Sequence, residues 1–409
     1  MLKSRLLRTI AVAGVAALAV TACGEGGGGG GNADGVLKIG TILPQTGSLA
    51  FLGPPEFAGV NLAIKEINEA GGVLGKDVEI SHKDSSDTKT DIASQSADAL
   101  IQDNTDAIIG AASSGVSFQF MEKLSKAEVV QISPANTSPD FTTDPAADFY
   151  YRTAPSDIIQ GRVLSDTMLN DGAATVGIIA LQDSYGTALA DEVKKNVTEA
   201  GGQVVAKEIY DPNASEFSAE IAKLKEADPD AIAIISFEEF TKLAPALDEA
   251  GLSAQKKNWY LVDGNLSNYG DDLPEGLLEG AKGTKPAVDI ESDFEDRLLE
   301  TDKNLKDFTY SAESYDATII AALAAEAAGE DTPLAMQETL VDVTKGGEKC
   351  TDFASCKKLL EDDKDIDYDG MSGPIEWTKE GDISKGSIGV YEFDKSNKYK
   401  AIDFIEGEL

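Results

Sequence analysis

From Val36 onward, short buried strands alternate with amphipathic helices, and the series runs twice. The first run opens with a strand over Leu37–Leu43 and a Pro- and Gly-rich turn. A helix follows with Phe57, Val60, Ile64 and Ile67 on one face, ended by Gly71-Gly72. Next come Val78–Ile80, a polar helix from about Thr90 to Gln102, the strand Ala107–Gly110, a helix around Gln119 to Lys126, and Val129–Ile132. The series restarts with strands at Thr175–Ala180, Val204-Val205, Ala231–Ile235 and Trp259–Val262. Continuous apolar strands separated by helices require a parallel sheet covered on both faces. Two such series in about 375 residues exceed one hydrophobic core, so two doubly wound α/β lobes are expected. After Pro286 the texture changes to helices, near Ser292–Lys303, Ala312–Ala328 and Pro333–Val343, and then to short strands over Gly373–Phe404. The economical path returns the chain to the first lobe and crosses back at the end. Lobe 1 is then 36–153 plus 284–368, and lobe 2 is 154–283 plus 369–409.

The extreme N-terminus has a separate logic. Lys3, Arg5 and Arg8 precede an apolar run, Ile10–Val20, too short for a stable span. Thr21-Ala22-Cys23 then has the form of a bacterial lipobox, which implies a signal peptide over 1–22 and lipidation of Cys23. Residues 23–35 include six consecutive glycines, Gly26–Gly31, which suit a flexible tether. The expected location is the extracytoplasmic face of a membrane. With Cys23 lipidated, Cys350 and Cys356 remain as an even pair in an oxidising compartment, and a disulfide is expected between them. Two residues six apart on one helix face different ways, so at least one must precede the helix.

The formal charge of −37 opposes binding to nucleic acid and offers anionic headgroups no basic patch. His82, the only histidine, follows an alternating strand and is read as a strand-end polar residue. One histidine excludes multi-histidine metal sites and disfavours a His-based triad. Gly71–Lys76 lacks the spacing and the Ser/Thr of a phosphate loop, and no nucleophile elbow or dinucleotide fingerprint is present. No catalytic residue, metal or cofactor is assigned.

Ligands of open parallel sheets bind beyond the carboxyl ends of strands. In the first series those ends carry Ala111-Ala112-Ser113-Ser114-Gly115 and Ser133-Pro134-Ala135-Asn136-Thr137-Ser138-Pro139. Hydroxyls and backbone N–H groups there suit a carboxylate, although Ser114 and Thr137 serve equally as helix caps. In the second series they carry Asp183-Ser184-Tyr185-Gly186 and Asp263-Gly264-Asn265, where Asp263 can accept an ammonium and Tyr185 offers a ring and a hydroxyl.

These segments carry a resemblance. Their order, together with Gln45-Thr46-Gly47, Asn61–Gly72, Ile108–Gly110 with Ser113-Ser114, Tyr315-Asp316-Ala317, Tyr368–Gly370, Ser372–Ile375 and Gly389–Tyr391, resembles the type I periplasmic binding proteins of the branched-chain amino-acid and amide branch. The resemblance implies two lobes joined by three hinge crossings, with a small solute in the cleft between them. It places Ser113, Ser114, Ala135 and Thr137 at the carboxylate and amino group, Tyr185 at cleft closure, Asp263 on the ammonium and Tyr315 near the hinge side. The implied partners are an amino acid or similar solute and ABC permease subunits with cytoplasmic ATPases, served by a monomer. Leu52 stands where relatives often carry an aromatic ring, and Asp263 is one methylene shorter than the usual glutamate. The alternative is a sensory protein that presents a small amide or organic acid to a membrane receptor.

Overall fold

The structure, a computed structural model, describes residues 33–289 and 292–409; the lipobox, Cys23 and most of the tether lie outside them. The first lobe opens with β1 (Lys38–Leu43), α1 (Gly53–Glu69), β2 (Glu79–Asp84), α2 (Ile92–Gln102) and β3 (Ala107–Gly110). It continues with α3 (Ser114–Ser117), α4 (Met121–Lys126), β4 (Val130–Ser133) and β5 (Tyr150–Arg152). These five strands form one parallel sheet in the order β2-β1-β3-β4-β5. The second lobe comprises α5 (Asp157–Asn170), β6 (Thr175–Leu181), α6 (Ser184–Glu199), β7 (Gln203–Tyr210), α7 (Ser218–Ala227) and β8 (Ala231–Ile235). Then follow α8 (Phe240–Glu249), α9 (Ala254–Lys257), β9 (Trp259–Val262) and β10 (Lys282–Pro286).

The chain then returns to the first lobe as α10 (Ser292–Thr301), α11 (Ser311–Ala328), α12 (Pro333–Leu340), β11 (Glu348–Cys350) and α13 (Phe353–Glu361). A small sheet of β11, β12 (Ile366–Gly370) and β13 (Gly373–Pro374) follows. The last crossing delivers β14 (Lys385–Phe393) and β15 (Tyr399–Glu408) to the edge of a seven-stranded sheet, ordered β15-β14-β10-β9-β8-β6-β7. Within it β6 to β10 run parallel, and β14 and β15 are antiparallel. Two doubly wound lobes and three crossings are therefore present.

The first crossing falls between β5 and α5, near the expected boundary, and the other two fall later than expected. Backbone pairing carries β10 through Pro286 in the second sheet, because Pro286 still lies opposite Ile388. Residues 371–384 remain on the first lobe. Trp377 and Ile383 join its apolar core, the Trp377 indole donates to the Arg152 carbonyl at 2.7 Å, and Arg152 forms a buried salt bridge to Asp382 at 2.6 Å. The turn after β12 is fixed by Asp316, which accepts from the Tyr368 hydroxyl and from the Met371 and Ser372 amides at 2.7 to 2.9 Å. Gly370 is required there, since a Cβ would sit 2.3 Å from the Asp316 carboxylate.

The disulfide forms between Cys350, the last residue of β11, and Cys356 in α13, with Cα atoms 5.3 Å apart. His82 lies inside β2 rather than at its end, held by the Thr41 hydroxyl at 2.9 Å and the Asn61 amide oxygen at 3.1 Å. Among the described residues no helix is long and apolar enough to cross a membrane, and no group of three or more His, Cys, Asp or Glu is arranged to hold a metal.

Candidate ligand cleft

Parallel strands end side by side, so the loops after β3 and β4 emerge together at one edge of the first lobe. They are stitched to each other before any ligand arrives. The Ser133 hydroxyl donates to the Ala111 carbonyl at 2.7 Å and accepts from the Asn136 amide at 2.9 Å. The Asn136 side chain donates to the Ala111 and Ala112 carbonyls and accepts from the Tyr150 hydroxyl. Arg152 donates to the Asn136 and Ser138 carbonyls. These contacts hold Ala112, Ser114, Ala135 and Thr137 on one rigid rim. Ser113 caps α3, its oxygen accepting from the Val116 amide, so its hydroxyl is committed to the fold. Ser114 accepts a long hydrogen bond from the Ser138 amide, while the Thr137 hydroxyl is buried without a partner.

On the other rim Asp263 opens the turn after β9 and is buried. Its carboxylate accepts from the Gln160 amide at 2.9 Å, the Tyr185 hydroxyl at 2.7 Å and the Tyr310 hydroxyl at 2.9 Å. Asp157, in the first turn of α5, is fully buried; the Thr137 hydroxyl is the donor beside its carboxylate, and neither group makes a well-formed hydrogen bond. Burial pushes the Asp157 carboxyl well above the usual range, and the nearby Asp263 charge adds to the rise. Burial also raises Asp263, opposed by its three side-chain donors. The Arg152 charge lowers Asp157 somewhat, but Arg152 is already engaged by Asp382. Two buried carboxylates without a counter-ion are costly unless a cation arrives.

The rims meet. Leu49, Leu52, Ala112 and Ala135 from the first lobe share one continuous apolar cluster with Tyr185, Phe237 and Tyr310. The Tyr185 and Phe237 rings stack at 5.5 Å. The Ser138 hydroxyl donates across the gap to the Ser184 carbonyl at 3.0 Å. Gly115 of α3 faces the start of α6, where a Cβ would stand at contact distance, 3.5 Å from the Asp183 carboxylate and 3.6 Å from the Ser184 hydroxyl. The lobes therefore meet across an apolar junction flanked by polar groups from both sides.

Ala135 and Tyr185 share one apolar junction with Asp263 bonded to Tyr185, Ser114 and Thr137 lie on the facing rim, and Ser113 is spent on its cap. Tyr315 stands apart. It is in the first-lobe core, donating to Glu66 at 2.5 Å and packed edge-on to Phe294. Its place at the cleft is taken by Tyr310, which precedes α11 with φ of +60° and so turns its ring out of the helix direction. Asp157, Gln160 and Tyr310 carried no assignment from the sequence. Asp157 and Gln160 sit one turn apart at the start of α5, and a polar pair in an otherwise buried first turn was the available signal.

Residues 36–393 match the family model described as periplasmic binding protein. The chain belongs to that family. It is 30% identical over 332 residues to Leu/Ile/Val-binding protein homolog 1 of Brucella abortus, covering 80% of this chain and 86% of the relative. It is 26% identical over 396 residues to the leucine-, isoleucine-, valine-, threonine- and alanine-binding protein of Pseudomonas aeruginosa, covering 96% of each. A leucine-binding protein of Thermotoga maritima has the same fold, with a TM-score of 0.75 and 23% identity over 90% of this chain and 99% of the other. Periplasmic binding proteins of this kind are solute receptors, and the two-lobed cleft is the part of the fold that holds the solute.

Proposed function

We propose that this periplasmic binding protein captures an α-amino acid with an apolar side chain and delivers it to an ABC permease. One observation carries the reading: among the described residues Asp157 and Asp263 are buried together with no salt bridge to either, across from a rim of hydroxyl and amide groups. An α-ammonium supplies the missing charge, accepted by Asp263 and Asp157, with the Ala135 carbonyl near. The carboxylate then meets the Ser114 and Thr137 hydroxyls and the amides of their loops. The side chain rests among Leu49, Leu52, Ala112, Tyr185 and Phe237, a wall that favours a branched aliphatic group. The relatives bind leucine, isoleucine and valine by name, which agrees with that wall.

The delivery side of the proposal rests on the N-terminal motif. Residues 1–22 direct export, Cys23 receives lipid, and residues 23–35 tether a monomeric receptor beside permease subunits powered by cytoplasmic ATPases. Titration calorimetry with leucine, isoleucine and valine tests the cleft. Leucine should bind, and 4-methylpentanoate, which lacks the amino group, should bind at least a hundredfold more weakly, about 3 kcal/mol. Equal binding of the two removes the ammonium site. Labelling with a radioactive fatty acid tests the anchor, and a Cys23→Ala chain labelled like the wild type would sink it.

A further inference from the structure

Tyr310 belongs to two places. Its hydroxyl reaches Asp263 in the cleft, and the residue also lines a separate cavity of about 260 Å³ at the second hinge crossing. The cavity is built around Lys285, near the end of β10, which is only 6% exposed. A buried ammonium normally finds a carboxylate. Among the described residues none lies within 4.0 Å of Lys285. Its Nζ donates to the Thr309 hydroxyl at 2.6 Å and the Tyr399 hydroxyl at 3.1 Å, which uses two of its three protons. It stands over the Tyr391 and Tyr399 rings, 5.1 and 5.0 Å from their centres. Asp307 also lines the cavity; burial raises its carboxyl, but the Lys285 charge and hydrogen bonds from the Thr309 amide at 2.7 Å and the Tyr399 hydroxyl at 2.9 Å hold it below the usual range, without a direct salt bridge to Lys285.

The remaining groups agree. Glu313 lines the cavity, and burial pushes its carboxyl to about 8, so at neutral pH it is mostly an O–H donor. Phe404 completes an aromatic wall, and the rim carries Asp289, Glu295 and Lys306. A neighbouring cavity of about 780 Å³ shares Ala287, Val288, Asp289, Glu313 and Phe404 with this one and extends the space.

We infer that the hinge cavity is a second binding site, taking a small monocarboxylate whose anionic group meets Lys285 and whose hydrocarbon part lies along Tyr391, Tyr399 and Phe404. Lys285, Tyr391 and Tyr399 belong to the seven-stranded sheet, whereas Thr309 and Glu313 precede and open α11 in the first lobe. An occupant therefore ties the lobes together in the closed arrangement. Because closure also assembles the cleft, each ligand strengthens the other's binding by the same factor.

The test is titration of the purified full chain with phenylacetate and butyrate, and with the neutral phenylacetamide. The carboxylates should bind and the amide should bind at least roughly tenfold more weakly. Lys285→Met should weaken phenylacetate by at least about tenfold, and Val288→Trp, which fills the cavity wall but keeps the lysine, should do the same. Asp263→Asn should leave phenylacetate within about threefold, since the cleft is elsewhere. If Lys285→Met does not fold, Val288→Trp decides. Absence of carboxylate binding, or loss in Asp263→Asn with retention in Val288→Trp, overturns the site without bearing on the amino-acid cleft.

Discussion

Asp263 has three well-formed donors and Asp157 only the nearby Thr137 hydroxyl, yet both are buried within one electrostatic neighbourhood. That asymmetry separates their roles. Asp263 is positioned by Gln160, Tyr185 and Tyr310 and accepts an ammonium at fixed geometry, whereas Asp157 supplies charge. Asp263→Asn should therefore weaken leucine by about 2 to 4 kcal/mol, because an ammonium is left poorly paired in a desolvated site. Asp157→Asn removes a carboxyl whose ionisation burial opposes, and should also raise the ligand-free melting temperature near neutral pH. Calorimetry and thermal denaturation read both outcomes, and a destabilised Asp157→Asn would mean that the carboxylate has a structural partner. Asp263 was legible in the sequence because strand ends of parallel sheets are where ligands bind. Tyr310 was not. Tyr310 and Tyr315 flank the start of α11, and the choice between cleft and core depends on a left-handed backbone at Tyr310 that no side-chain pattern announces.

The helices and parallel strands were mostly legible, because strands buried on both faces are continuous apolar runs and α1 and α11 are long. What the pattern left out is short or interrupted. β5 has three residues, and the final hairpin of nine- and ten-residue strands was expected as short pieces. Gly386, Gly389 and Gly407 break its periodicity, yet each marks a close approach, to Pro155, the Tyr391 ring and Ile159 respectively. The same constraint joins α1 to α11, where a Cβ on Gly59 would lie 2.2 Å from the Ser311 carbonyl. The disulfide belongs to this scale. It fastens the start of α13 to β11, closing a loop of seven residues, so Cys356→Ser should cost about 2 kcal/mol. Urea unfolding of wild type and mutant measures it, and a cost near zero would show that Phe353 and the Asp352 cap hold α13 alone.

Charge and closure act on the whole molecule. Burial pushes Glu313 to about 8, Asp106 to about 7, and Asp183 and Asp316 to about 6. Raised carboxyls bind more protons folded than unfolded, so their contribution is complete below about pH 4 and is lost as pH rises through about 6 to 8. The net charge of −37 adds self-repulsion with the same sign. Against this, hydrogen bonds hold Asp84, Asp230 and Asp394 below the usual range, and their contribution is lost as pH falls below about 4. The ligand-free protein should thus melt at a higher temperature at pH 5 than at pH 8.5, and the reverse order in scanning calorimetry would contradict these buried acids. Closure has a geometric control at Gly115, where α3 meets the start of α6. Its missing Cβ would lie 2.9 Å from Thr88 in its own lobe and at ordinary contact distance, 3.5 Å, from Asp183 in the other, so the further methyls of a valine crowd both sides. Gly115→Val should shift the melting temperature little, since the side chain it crowds most closely in its own lobe, Thr88, is exposed and can move. It should weaken leucine at least roughly tenfold, because a ligand bound to one rim loses the contacts of the other. Small-angle scattering separates this from simple loss of a contact. Wild type should compact on adding leucine, Gly115→Val should not, and equal compaction in both would show that α3 and α6 can separate here without opening the cleft.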